Sequence, residues 1–369
     1  MDLDALLEDL VRQQGSDLHL RAGEPPIFRI DGQLGRTDNA PLKQEDVAQL
    51  IHATMNPHQR EQLALGAEVD YGYEVPGLAR FRVNAYWERR WVSAALRLIP
   101  LRVPTIEELG LPPILKNLAM LVRGLVLVTG PTGSGKSTTL ATMVEAISRE
   151  RAVHVVTIED PIEYTHTDSL ASVSQREVGV DTWGFAQALR HVMRQNPDVI
   201  MVGEMRDLET IQQTITAAEL GHLVLSTVHT TDAAQTVDRI VDVFEPARQQ
   251  QIRTQLALTL QAVVSQTLVP RADRSGRVAA FEILIATPAV RNMIRERRTH
   301  QLYGVIEAGS DYGMQLMDTH LVQLCRQGII TYDQALVRSM NPRDFRRRAT
   351  GVVGSGLELE TDGAKGPER

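Results

Sequence analysis

The chain has 369 residues, and at roughly 150 residues per domain this length favours about two domains. With 43% hydrophobic and 23% charged residues, the composition is that of an ordinary globular protein. The net charge of −7 and the aromatic content of 4% argue against a protein that coats nucleic-acid phosphates or stacks on bases. The single cysteine, Cys325, excludes an internal disulfide and a multi-cysteine zinc site.

The N-terminus and the apolar runs bear on the cellular location. Acidic residues occupy the first positions, where a secretory signal needs basic ones. The densest apolar run, at 118–128, is interrupted by Arg123 and is shorter than the ~18 residues of a membrane span. The sequence therefore predicts a cytoplasmic chain, or one that is at most peripheral to a membrane.

A small α+β domain is predicted for residues 1–99. Leucines at helical spacing from Leu3 to Leu10 indicate an amphipathic helix, and two more helices are expected near Val47 and from Pro57. Strand-like runs lie at 16–21, 27–30, 68–75, 80–86 and 91–98, with turn residues at 31–32 and 76–77. Helices mixed with mainly antiparallel strands are typical of an α+β fold.

A second, larger α/β domain is predicted for 113–348. Prolines at 100, 104, 112 and 113 mark a linker over 100–112. Beyond it, short apolar strands alternate with helical segments and predict a parallel sheet covered on both faces; these strands lie at 125–129, 153–158, 199–202 and 223–228. One helix is expected at about 247–268, and more helices follow to about Arg348. Residues 349–369, rich in glycine and acid, are predicted to be a disordered tail.

A phosphate-binding loop is predicted at 130–137, where G-P-T-G-S-G-K-S fits the pattern G-x-x-x-x-G-K-[ST] between a strand and a helix. Backbone N–H groups of such a loop surround the β-phosphate, and the helix directs its positive dipole end at the same place. Lys136 is expected to contact the β- and γ-phosphates, and the Ser137 hydroxyl to ligate Mg²⁺. The alternative is a glycine-rich turn with an incidental lysine.

Two groups of acids are candidates for hydrolysis. Glu204 follows the apolar run 198–203, and an acid at such a strand end is placed to orient or deprotonate water. The run T-I-E-D-P-I-E at 157–163 follows another strand, and its Glu159 and Glu163 are predicted to supply a carboxylate on the Mg²⁺ side. An exposed strand end and a solvated turn are the respective alternatives.

Histidines and arginines are further candidates. His229 ends a strand at the edge where ligands of parallel sheets gather, so it is predicted to sense the γ-phosphate, whereas His222 lies at the opposite end. Strand alternation places Arg82 on the face opposite Phe81, and Arg97 projects similarly. These two guanidinium groups are predicted to reach a bound phosphate as arginine fingers do, with solvated surface arginines as the alternative.

Together these segments resemble the type IV pilus retraction ATPases, the PilT family of the secretion ATPase superfamily. The resemblance covers about residues 1–345 and is carried by an ordered series: S-D-L-H-L at 16–20, the phosphate loop, T-I-E-D-P-I-E at 157–163, Q-R-E-V-G at 175–179, V-G-E-M-R-D-L-E-T at 202–210, G-H-L-V-L-S-T-V-H-T at 221–230 and A-V-R-N-M-I-R-E at 289–296. The last motif is close to the A-I-R-N-L-I-R-E box typical of retraction ATPases.

The resemblance implies a PAS-like N-terminal domain, a RecA-like ATPase domain and a homohexamer. It also implies ATP-driven depolymerisation of the pilus through an inner-membrane platform protein, with the chain at the cytoplasmic base of the pilus and a paralogous pilus ATPase as a further partner. Carried over by residue, Glu204 is the Walker B acid, His229 ends the histidine box, and Arg82 and Arg97 approach the nucleotide. The implied nucleotide-binding residues are Gly130, Pro131, Thr132, Gly133, Ser134, Gly135, Lys136, Ser137 and Thr138.

Other functions are less favoured. The extra acidic tail resembles that of the accessory paralogue PilU, so an accessory retraction ATPase is the main alternative. An extension ATPase of the same superfamily typically carries a four-cysteine zinc site, which one cysteine rejects. A small-molecule kinase has no need of the first domain, a nucleic-acid motor disagrees with the charge, and a non-catalytic scaffold disagrees with the presence of both Lys136 and Glu204.

Overall fold

A computed structural model of the chain describes residues 2–30, 32–99 and 102–349. The predicted turn residue Asp31, the start of the predicted linker at 100–101 and the predicted tail beyond Ala349 lie outside these residues. The described part divides into two compact units. The first comprises the residues up to Val126 together with Ser137–Thr227, and the second comprises Leu127–Lys136 together with the residues from Val228 onward. The predicted domain boundaries stay predictions.

The described residues up to Ile99 contain an antiparallel sheet. Among the described residues it has the strand order β3-β2-β1-β6-β5-β4, with β1 (Asp17–Leu20), β2 (Ile27–Ile30), β3 (Gln33–Arg36), β4 (Val69–Val75), β5 (Ala79–Glu88) and β6 (Trp91–Ile99). Three helices accompany it: α1 (Leu3–Arg12), α2 (Gln44–Thr54) and α3 (Pro57–Ala64). The predicted α+β architecture is confirmed, although β3 was not predicted.

The helices of this part begin where the sequence indicates. The side chain of Asp2 accepts a hydrogen bond from the Asp4 N–H and caps α1, whose predicted leucine face is buried. In α3, Pro57 occupies the first turn, and Asn56 and Gln59 form a capping box. Local capping and the burial of one apolar face therefore select the same helices.

The second sheet has the strand order β13-β12-β7-β11-β10-β8-β9 among the described residues. Its strands are β7 (Gly124–Thr129), β8 (His154–Glu159), β9 (Ser172–Glu177), β10 (Val199–Val202), β11 (Leu223–Val228), β12 (Leu260–Pro270) and β13 (Arg277–Ile285). The pairs β8–β9, β8–β10 and β10–β11 are parallel, and β10 and β11 are buried throughout. These strands confirm the predicted α/β class with its parallel sheet.

Helices alternate with the strands of this sheet and follow it. They are α4 (Ile114–Ala119), α5 (Lys136–Glu150), α6 (Phe185–Val192), α7 (Leu208–Glu219), α8 (Ala233–Asp242), α9 (Pro246–Thr259), α10 (Pro288–Arg295), α11 (Leu302–Ala308), α12 (Met317–Arg326), α13 (Tyr332–Arg338) and α14 (Pro342–Arg348). Within the part of the chain that the structure describes, no helix is long and apolar enough to cross a membrane.

The prediction of a helix over 247–268 was wrong in its second half. Helix α9 ends at Thr259, and Leu260 begins β12, which pairs with β13 in antiparallel register. Residues 260–269 are mostly buried and do not alternate regularly between apolar and polar residues, so their pattern does not distinguish a buried helix from a buried strand; the β-branched Val263 and Val264 favour the strand. Strands β9 and β13 were also missed.

One buried carboxylate joins two helices in the second unit. Glu282 of β13 is 5% exposed, and its Oε1 accepts a hydrogen bond of 2.9 Å from the N–H of Ala233, the first residue of α8. The carboxylate also accepts from the N–H of Met317, the first residue of α12. Burial raises the pKa of Glu282 to about 7; the two N–H groups oppose this rise, and Asp232 and Asp318 add to it.

This pKa predicts a pH-dependent stability. Because the folded state holds the proton of Glu282 more tightly than the unfolded chain, its stabilising contribution is complete below pH ~4.5 and is lost as the pH rises through about 7. Glu282→Gln cannot ionise. We expect the free energy of unfolding of the variant, relative to that of the wild type, to increase by on the order of 1–3 kcal/mol between pH 5 and pH 8.5. Denaturant unfolding at the two pH values measures this difference. The exposed Glu61→Gln serves as the control, and parallel pH profiles of Glu282→Gln and wild type would refute the assignment.

Candidate active site

The phosphate loop joins β7 to α5 through backbone that only glycine adopts readily. Gly133 has φ of 76° and Gly135 has φ of 90°. Gly130 has φ of 143°, and a Cβ there would lie 2.3 Å from the carbonyl oxygen of Gln266. Pro131, Thr132 and Gly133 form the exposed tip of the loop. The glycines are therefore required by conformation and, at Gly130, also by space.

Lys136 is held inside this loop. Its side chain donates from Nζ to the carbonyl oxygens of Gly130 and Pro131, both at 3.0 Å, and the residue is only 8% exposed. Ser134 Oγ is buried and has no hydrogen-bond partner among the described residues. An orphaned hydroxyl beside a buried ammonium is unusual in a finished core and fits a site made for an anionic ligand.

Gln266 of β12 contacts this loop and was not identified from the sequence. Its Nε2 donates to the Ser134 carbonyl oxygen at 2.7 Å, and on the neighbouring position Ser265 Oγ accepts from Thr129 Oγ1 at 2.8 Å. Both residues lie on β12, the segment that was predicted to be helical. Had the strand been recognised, its polar residues within an apolar run would have been the signal.

The other end of the phosphate-loop motif lies at the start of α5. Ser137 and Thr138 are half-buried, and Thr138 Oγ1 and the Tyr164 hydroxyl are hydrogen-bonded at 3.0 Å. Tyr164 follows the acid run 157–163 directly. The predicted Mg²⁺ ligand Ser137 is thus next to a residue that is tied to the acid run.

The strands β8 and β10 bring two groups of acids to one edge of the sheet, because they are parallel neighbours. Glu204 lies just beyond β10, is 13% exposed on its side chain and pairs through Oε2 with Arg206 Nε at 2.6 Å. Asp160 lies just beyond β8, and burial followed by the charge of Glu204 raises its pKa. The loop after β10 is fixed by Thr227, whose hydroxyl donates to the Gly203 carbonyl oxygen at 2.7 Å.

Glu159 and Glu163 have different surroundings. Glu159 is buried, and its Oε1 accepts from Thr157 Oγ1 at 2.7 Å and from Gln175 Nε2 at 3.0 Å. Burial raises its pKa, and the two hydrogen bonds oppose the rise. Glu163 is 43% exposed on its side chain. The catalytic role of Glu159 stays a prediction, and its buried hydrogen-bond network argues against it.

Arg82 and Arg97 lie directly opposite each other on β5 and β6, so the predicted common face is present. Each of the two arginines has acidic partners that are distant in sequence. Arg82 lies 3.3 Å from Asp70 and 3.7 Å from Glu163, and Arg97 Nε donates to Asp17 at 2.8 Å. These partners come from other strands and from the acid run, so no local sequence pattern announces them.

The two histidines lie at opposite ends of β11. His222 Nδ1 lies 2.9 Å from the Pro197 carbonyl oxygen, so that nitrogen carries the proton and the residue ties β11 to the segment before β10. His229 lies just beyond the carboxyl end of β11 and is exposed. Its predicted sensing role stays a prediction, and His222 has a structural partner.

Comparisons with known proteins agree with these features. The family model described as type II/IV secretion system protein matches residues 1–356. The type IV pilus retraction ATPase PilT of Pseudomonas aeruginosa is 49% identical over 94% of this chain and 100% of that protein. The type IV pilus ATPase PilU of the same organism is 41% identical over 94% of this chain and 91% of that protein.

A solved structure supports the same conclusion. The crystal structure of the pilus retraction motor PilT with bound ADP matches this chain with a TM-score of 0.87 and 42% identity, covering 94% of this chain and 99% of that one. The resemblance found from the motifs is therefore confirmed. The chain belongs to the family of type II/IV secretion system proteins and, within it, to the PilT family of type IV pilus retraction ATPases.

Proposed function

We propose that this protein hydrolyses ATP to drive retraction of the type IV pilus. The observation that carries the proposal is the phosphate loop, in which three glycines in the positive-φ region enclose the ammonium of Lys136 and the unpartnered hydroxyl of Ser134. That arrangement fits a phosphate chain better than a structural turn, which has no need of a buried ammonium. The coupling of hydrolysis to pilus retraction is proposed from the similarity to pilus retraction ATPases.

The residues of the loop have distinct roles. Backbone N–H groups of the loop and the first turn of α5 bind phosphate oxygens, and Lys136 exchanges its loop carbonyls for the β- and γ-phosphates. Ser137 holds Mg²⁺, which neutralises charge on the phosphates when it is bound. The half-buried Ser137 hydroxyl, an oxygen donor at the start of a helix, fits this ion.

The acids beyond β8 and β10 are assigned to water. Glu204 orients or deprotonates the attacking water, because it lies just beyond the strand β10, at the edge of the sheet where the acid run also lies. Glu163 is the better second acid, since its carboxylate is exposed whereas that of Glu159 is committed to Thr157 and Gln175. Glu159 then holds the acid run in place.

Retraction requires partners beyond this chain. We propose that it acts on an inner-membrane pilus platform protein and lies at the cytoplasmic base of the pilus, peripheral to the membrane. A paralogous pilus ATPase is proposed as a further partner. The higher identity to the retraction ATPase than to PilU supports the principal motor over the accessory one. No nucleic acid is expected to bind.

Removing Glu204 tests the catalytic assignment. Glu204→Ala should still bind ATP, because the phosphate loop is intact, but phosphate release should fall on the order of 10²–10⁴-fold. Binding is measured by titration with a fluorescent ATP analogue and turnover by released phosphate. The exposed Glu61→Ala is the control for loss of a carboxylate. Lys136→Ala should lose both binding and turnover, and near-normal turnover in Glu204→Ala would sink the assignment.

Arg82 and Arg97 are proposed to act on the nucleotide in a homohexamer. Their side chains are 39% and 73% exposed, so each can exchange its carboxylate partner for a phosphate. We propose that in the hexamer both approach the nucleotide and that His229 senses the γ-phosphate.

Sedimentation of the purified chain with ADP should give a hexamer. A monomer with full ATPase activity contradicts this proposal.

The motif at 289–296 forms α10, and one of its arginines is structural. Arg291 donates from Nη1 to the carbonyl oxygens of Ala257 at 2.6 Å and Leu258 at 2.9 Å, and so satisfies the end of α9. Arg295 donates only to Asn292 on its own helix, at 3.2 Å, among the contacts described for its guanidinium. Arg291 therefore ties α10 to the end of α9, whereas the described side-chain contact of Arg295 stays within α10.

Because of these contacts, we expect substitutions of the two arginines to have different effects on stability and on twitching. We expect Arg295→Ala to keep its stability within about 0.5 kcal/mol and its ATP turnover, but to lose twitching, because α10 couples hydrolysis to retraction. Arg291→Ala should lose about 1–3 kcal/mol of unfolding free energy through the freed carbonyls and is the control for structural damage. Normal twitching of the Arg295 variant would remove the coupling role of α10, and a parallel loss of ATPase activity would place α10 in the catalytic machinery.

A further inference from the structure

Glu177 is a buried carboxylate to which the proposed function gives no role. It is the last residue of β9, belongs to the motif Q-R-E-V-G at 175–179, and has a side chain that is 1% exposed. Three donors reach it: the Gly72 N–H at 2.9 Å, the Ile162 N–H at 3.3 Å, and the guanidinium of Arg80. A carboxylate with this many donors is fully satisfied and strongly fixed.

The three donors come from two separate parts of the first unit. Gly72 lies on β4 and Arg80 on β5, which are neighbouring antiparallel strands of the first sheet. Ile162 belongs to the acid run after β8. Glu177 therefore connects the strand pair β4–β5 to the acid run through side-chain and backbone hydrogen bonds.

Gly72 makes this connection possible. A Cβ on Gly72 would lie 2.3 Å from Arg80 Nη2 and 2.8 Å from Glu177 Oε2, which is closer than real Cβ contacts allow. Gly72 lies within a regular strand, so the requirement is for space and not for a special backbone conformation. The glycine is thus explained by the close approach of the carboxylate and the guanidinium.

The residues beside these donors are those assigned to the nucleotide. Ile162 precedes Glu163, and Arg80 is two positions before Arg82 on the same face of β5. Arg82 and Glu163 lie 3.7 Å apart. Fixing Ile162 and Arg80 to a single carboxylate therefore restricts where Glu163 and Arg82 can lie.

We propose that Glu177 is a positioning residue that holds Glu163 and Arg82 in register by binding Gly72, Arg80 and Ile162 at once. This inference rests on the proposed ATPase function for its effect on turnover, but not for the contact itself. Loss of Glu177 frees the acid run from β4–β5, so that Glu163 is misplaced while the phosphate loop is untouched. Misplacement of a catalytic group by about 1 Å costs on the order of 10²-fold in rate.

Two variants of the full-length chain test this, Glu177→Ala and Gly72→Ala. Backbone hydrogen exchange should rise in both 159–164 and 69–75 but remain unchanged in 223–228. The kcat for ATP should fall on the order of 10–10²-fold, with KM and the affinity for a fluorescent ATP analogue changed less than about twofold. The Arg80→Ala/Glu177→Ala double variant should lose no more kcat than the worse single variant, because both act through one contact.

Matched controls are available for both changes. Gly35→Ala is also a glycine within a strand, but a Cβ there meets nothing within 4 Å, so exchange and kcat should be those of the wild type. Glu74→Ala removes the other carboxylate near Arg80. The side chain of Glu74 is 67% exposed, so this variant should also have the exchange and kcat of the wild type.

The outcomes separate the possibilities. If Glu177→Ala exchanges backbone hydrogens faster throughout both units, Glu177 only stabilises the fold. If exchange is faster only in 159–164 and 69–75 but kcat is unchanged, Glu177 does not position the catalytic groups. If Glu177→Ala does not fold, Gly72→Ala decides the question by the same measurements. A wild-type chain without ATP turnover would overturn the proposed function, while the exchange data would still decide whether Glu177 holds the acid run.

Discussion

The phosphate loop depends on a close approach between two stretches of backbone. The carbonyl oxygen of Gln266 lies where any side chain at position 130 would begin, and the amide of the same glutamine binds the carbonyl of Ser134. Lys136 closes the loop from inside through the carbonyls of Gly130 and Pro131. The shape of the loop is thus defined by contacts within the protein, from β12 on one side and from Lys136 on the other.

The buried and exposed carboxylates of the chain have different kinds of partner. Glu159, Glu177 and Glu282 are buried and accept hydrogen bonds from backbone or amide N–H groups, from a hydroxyl at Glu159, and from the guanidinium of Arg80 at Glu177. The side chain of Glu163 is 43% exposed, and its carboxylate lies 3.7 Å from the guanidinium of Arg82. Acids of the first kind hold segments together, whereas those of the second kind remain free to exchange partners when a nucleotide binds. This distinction separates Glu159 and Glu177, which we assign to positioning, from Glu163.

The sequence predicts the features that are local, and it fails where a residue acts through a distant partner. The phosphate loop, the strands that flank it and the helix after Pro57 follow from short-range patterns of glycine, apolar residues and caps. Strand β12 was missed because its run 260–269 is mostly buried and lacks a regular alternation of apolar and polar residues, and Gln266 was missed with it. The contacts of Glu177 with Gly72 and of Arg291 with Ala257 join residues 105 and 34 positions apart, which no periodicity reveals.

The central claim is that ATP bound at this loop powers retraction. It is tested most directly by imaging fluorescently labelled pili in cells whose only copy of this chain carries Lys136→Ala. The account predicts pili that extend normally and do not retract. Retraction at the frequency and speed of cells carrying the wild-type chain would contradict it.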